Sequence, residues 1–105
     1  MPPRNAQAVE LPHDQVPKTP GAYYFLVLEE GGAPIGMTHS CPCGCGGLST
    51  IFFKNAPIDL GNRPTWSVEG TWPKVTLKPS IGITFGRPGP QHWHGYLENG
   101  IFVER

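Results

Sequence analysis

Apolar residues in this chain gather in short runs rather than at helical spacing. Tyr23-Tyr24-Phe25-Leu26-Val27-Leu28 and Ile51-Phe52-Phe53 are the densest, and Gly, Pro or Asn punctuate the chain around them. No stretch free of Gly and Pro exceeds nine residues, Ala22 to Glu30 and Leu48 to Ala56 being the longest. An ordinary helix of about eleven residues would therefore carry a breaker, costing ~1 kcal/mol for Gly and ~3 kcal/mol for Pro. Short β-branched and aromatic runs between turn residues predict strands. They are expected near 22–29, 34–39, 48–54, 66–69, 74–77, 81–85, 91–97 and 101–104. The fold class that follows is all-β: a small single-domain sheet or sandwich.

Two turns divide these strands. Glu30-Gly31-Gly32-Ala33 separates the first pair. Asn99-Gly100 predicts a type I′ hairpin, since both residues readily take φ > 0. A two-residue loop there sets Leu97 opposite Phe102 and Tyr96 opposite Val103. Alternation along the strand then places Trp93, Leu97 and Phe102 on a core face, and His92, His94 and Tyr96 on the other.

Composition adds a boundary. Fourteen glycines and thirteen prolines in 105 residues would suit a disordered chain, but three Trp, three Tyr and five Phe supply a core. Five of the prolines fall in residues 1–20. That segment reads as an extended arm tied down either on its own domain or on a partner protein, leaving 21–105 as the β domain. Eight Lys+Arg balance eight Asp+Glu, and the basic residues are scattered, which argues against a nucleic-acid binder. The longest apolar run is far short of the ~20 residues of a spanning helix, and the N-terminus lacks a signal-peptide core. No membrane partner is expected, and synthesis in the cytoplasm is.

The candidate chemistry lies in His39-Ser40-Cys41-Pro42-Cys43-Gly44-Cys45-Gly46-Gly47, which holds all three cysteines. Thiolates this close repel one another unless a cation takes up the charge, and zinc suits sulfur and nitrogen donors. Glycines allow the backbone to curl around an ion. His92 and His94, two apart on a strand, point to one side and complete a Cys₂His₂ or Cys₃His centre. Cys41 and Cys43 with both histidines are the first choice. Cys45 is the substitute ligand and His39 a remote one. The loop is zinc-ribbon-like. Trp66, Trp72 and Trp93 are read as packing residues.

CPCGCG at 41–46, Trp66…Gly70, Val75-Thr76-Leu77-Lys78-Pro79-Ser80-Ile81 and Trp93-His94-Gly95-Tyr96-Leu97 before Asn99-Gly100 share an order with a known family. The chain resembles small bacterial and phage proteins with a CPCG loop, a TLxPSI segment and a closing Cys-x-Trp-His-Gly hairpin. The resemblance covers roughly 22–104. It implies zinc binding, and a setting in phage genomes or beside ubiquitin-like conjugation genes. Gln91 stands where that family carries Cys, so His92 or Cys45 must replace the missing thiolate. The Lys78-Pro79-Ser80 step reads as a chain reversal that shapes the core.

These features favour a non-catalytic zinc-stapled interaction protein, a phage or virion component of a multi-subunit assembly. The alternative is a zinc-dependent hydrolase, with Glu98 as its base, or an accessory factor of a ubiquitin-like conjugation system. A Cys nucleophile with His92 or His94 as base is weaker, because a chelated thiolate attacks poorly.

Overall fold

The computed structural model describes residues 3–84 and 92–105. Ten strands are present among them: β1 (Ala6–Gln7), β2 (Val9–Glu10), β3 (Ala22–Leu26), β4 (Gly36–Ser40), β5 (Leu48–Phe52), β6 (Ser67–Thr71), β7 (Lys74–Lys78), β8 (Ile81–Ile83), β9 (Trp93–Glu98) and β10 (Ile101–Glu104). One sheet runs β1-β10-β9-β8, a second β2-β3-β4-β5, and β6-β7 is a separate hairpin. Each strand expected from the apolar runs is present, several of them shorter. The outer ends of two, at residues 85 and 91, lie outside the described residues.

The Asn99-Gly100 turn forms as its chemistry requires, with φ of 48° and 81°. Leu97 pairs with Phe102 and Tyr96 with Val103. Trp93, Leu97 and Phe102 are fully buried, and they join Tyr23, Met37 and Ile51 of the second sheet in one core. Val75 and Leu77 reach the same core from β7. Trp66 and Trp72 pack against its edge, so the three tryptophans are packing residues.

Alternation does not describe the proline-rich arm, which contributes β1 and β2. Residues 6–7 extend the first sheet along β10, and residues 9–10 lie parallel to β3. Between these pairs Ala8 is buried, and it donates its N–H to Gly100 O at 2.8 Å. Val16, in a 3₁₀ turn (Val16–Lys18), is completely buried where that turn meets β3 and β4. This packing buries all five residues of β4. Two-residue strands have no period to read. They exist because a sheet edge offers unpaired backbone groups.

Candidate functional site

The cysteine loop closes the β4–β5 hairpin. Ser40 pairs with Leu48, and beyond this rung Cys41 donates its N–H to Gly47 O at 2.9 Å. Gly44 and Gly46 hold φ of 88° and 85°, values costly for residues with a Cβ. The curl brings the Sγ atoms of Cys41 and Cys43 to 3.3 Å. His92, just before β9 on the other sheet, sets Nε2 3.2 Å from Cys43 Sγ. Donor atoms of Cys41, Cys43, Cys45 and His92 all lie within 4.8 Å of one another, close enough to bind a metal ion.

The donor set fits a tetrahedral ion. Metal–sulfur bonds of about 2.3 Å place tetrahedral sulfurs about 3.8 Å apart, within the observed spread. Burial pushes the Cys41 thiol up to about 12, so its thiolate requires a nearby cation. At Cys45 desolvation is outweighed by hydrogen bonds from Gly47 N–H and the neighbouring thiols, and its thiol is lowered. The Arg4 guanidinium supports the same corner, donating to His92 O at 2.9 Å and pairing with Glu104.

His94 stands outside this group. Its Nδ1 is 2.9 Å from the main-chain oxygen of Arg105, and its Nε2 is 3.1 Å from Ser80 Oγ. A carbonyl oxygen only accepts, so Nδ1 carries the proton. In the neutral ring Nε2 is then the acceptor, and the Ser80 hydroxyl donates to it. This is the hydrogen-bonding pattern of a nucleophile, its base and a group that orients the base. Ser80 immediately precedes β8, and Trp66 Nε1 donates to its main-chain oxygen at 3.2 Å.

A cleft of about 730 Å³ leads to Ser80 between Thr76 and Lys78 of β7 and Tyr96 and Glu98 of β9. Glu98 is ion-paired with Arg105 at 3.0 Å and is not one of the clustered donors. A cavity of about 620 Å³ between the arm and the Trp72-Pro73 turn shares no residue with that cleft.

A family model described as "Bacterial ubiquitination-like system serine protease (BubE)" matches residues 9–104. The chain belongs to this family. No curated protein and no solved structure gives a match. Membership overturns the non-catalytic phage or virion reading, because the family is described by a protease activity. It supports the alternative reading, the setting in a ubiquitin-like system. The match begins at residue 9, in β2 of the arm.

Of the residues expected at the site, Cys41, Cys43, Cys45 and His92 come together, and His94 faces Ser80 instead. Gln91 lies outside the described residues. In the sequence alone Ser80 is one residue of a bend. Its one signal was the PSI step ahead of a strand, which acquires meaning only when β8 is laid beside the His94 strand. Among the described residues no helix is long and apolar enough to cross a membrane.

Proposed function

We propose that this chain is a serine hydrolase that cleaves acyl bonds at the C-terminus of a ubiquitin-like protein, with Ser80 as nucleophile and His94 as general base. The 3.1 Å contact between Ser80 Oγ and His94 Nε2, with Nδ1 held by Arg105 O, carries this reading. In the first step Ser80 Oγ bonds to the acyl carbon and its proton passes to His94 Nε2. His94 then gives that proton to the departing atom as the acyl bond breaks. Water repeats the sequence on the acyl-Ser80 ester, releasing the acid and restoring the hydroxyl. The family description names the substrate's setting, and the cleft ending at Ser80 has room for an extended tail.

Zinc is the proposed metal, held by Cys41, Cys43, Cys45 and His92. Four protein donors complete a tetrahedral shell, the arrangement of structural rather than catalytic zinc. Its contribution is to fix the start of β9, two residues before His94.

The test uses the system's ubiquitin-like protein with a carrier domain fused at its C-terminus. Ser80→Ala and His94→Gln are expected to lower cleavage by about a thousandfold or more, with the fold intact by circular dichroism. A fluorophosphonate is expected to label Ser80 in the wild-type chain. Full cleavage by Ser80→Ala would falsify the assignment.

A further inference from the structure

The register of β8 on β9 gives the site a direction. Gly82 pairs directly with His94, and Ile81 with Gly95. Ile81 and Ile83 point into the core while Gly82 is exposed, on the same face as His94. Among the described residues, β8 therefore sets no side chain beside the imidazole. From Ser80 the cleft extends the other way, toward Tyr96, Glu98 and Asn99, and neither His94 nor Gly82 lines it.

Acyl transfer assigns chemistry to these two sides. His94 must hand its proton to the departing atom, so that atom lies on the His94 side of Ser80. The acyl chain then runs the opposite way, into the cleft.

We propose that Gly82 determines specificity for the leaving group: its missing side chain opens a lane beside His94 for a bulky departing partner, while the acyl tail lies in the β7–β9 cleft. The inference rests on the Ser80–His94 reading. It assigns the substrate class as conjugates in which an extended tail is acyl-linked to a large leaving group such as a folded protein. A side chain at position 82 would stand where that leaving group must sit, and would not touch Ser80's tail-side cleft.

The experiment compares two probes made from the same ubiquitin-like protein: its C-terminal ethyl ester, and its C-terminal amide to a folded carrier domain. Gly82→Val is expected to cut kcat/KM for the carrier amide by about tenfold or more and to change the ethyl ester less than about threefold. Val favours an exposed edge strand over Gly, so the thermal midpoint should hold or rise. Gly82→Ala should fall between the two, and it decides the matter if the valine chain folds poorly. Equal loss on both probes, or no loss on either, overturns the lane. Ser80→Ala run on both probes separates the readings. If it cleaves either probe normally the dyad is wrong, whereas its inactivity with a flat Gly82 series removes only the lane.

Discussion

Two histidines two positions apart take different tasks because their neighbours differ. His92 meets Cys43 Sγ from the opposite sheet, and His94 meets a serine hydroxyl and a backbone oxygen. A third, His39, is completely buried on β4, stacked on Phe102 at 4.9 Å between ring centroids. Its Nδ1 donates to Ser40 O at 3.1 Å, while Nε2 has no hydrogen-bond partner among the described residues. Desolvation lowers its pKa from 6.5 to about 4, against a smaller upward pull from Ser40 O. The unfolded chain therefore takes up this proton first as pH falls. Stability is complete above pH 6.5 and declines toward pH 4, by on the order of 3 kcal/mol from this group. Denaturant titrations of the wild type and His39→Phe across that window check it, since acid loss of thiolate ligands is common to both chains. An unchanged pH slope in the variant would refute the assignment.

At the scale of elements, β9 carries most of the function. Its inward residues hold the core, its outward Tyr96 and Glu98 line the cleft, His94 faces Ser80, and the residue before it joins the thiol cluster. Gly95 lets this strand lie close to β10. A Cβ there would stand 2.0 Å from Val103 O and 2.7 Å from the Trp93 ring. Gly95→Ala is thus expected to cost about 2–3 kcal/mol, roughly 10 °C in thermal midpoint, and to lower cleavage because His94 is its neighbour. Calorimetry with a cleavage assay reads both. A variant as stable as wild type would show that β9 can shift without penalty. The arm acts on the same strand, as Trp93 Nε1 donates to Arg4 O at 3.0 Å and Arg4 reaches His92 O.

Across the whole molecule, the four donors bridge the two sheets: three come from the β4–β5 loop and one from the residue just before the strand that holds the base. A metal there ties the layers together at the site's edge. The purified chain is expected to carry one zinc, and Cys43→Ser to carry markedly less, by elemental analysis. Chelation should lower the thermal midpoint by more than about 10 °C and suppress cleavage, with both restored by added zinc. Cleavage that survives complete metal removal at unchanged stability would show that the cluster does not support the site.

The strand runs, the Asn99-Gly100 register and the cysteine cluster were legible in the sequence, because each is set by neighbours close along the chain. Alternation separated Trp93 and Leu97 from His94, and the glycines around Cys43 and Cys45 marked a tight loop. Only the tertiary structure decided that His92 belongs with the thiols and His94 with Ser80. Those partners come from β8, the β4–β5 loop and the main chain at Arg105, and no local period encodes which strands become neighbours. The two short strands of the arm were hidden for the same reason, being defined by the sheet edges they cover. Ser80 looked like one polar residue after a proline until β8 was paired with β9, and a nucleophile is defined by the base it faces.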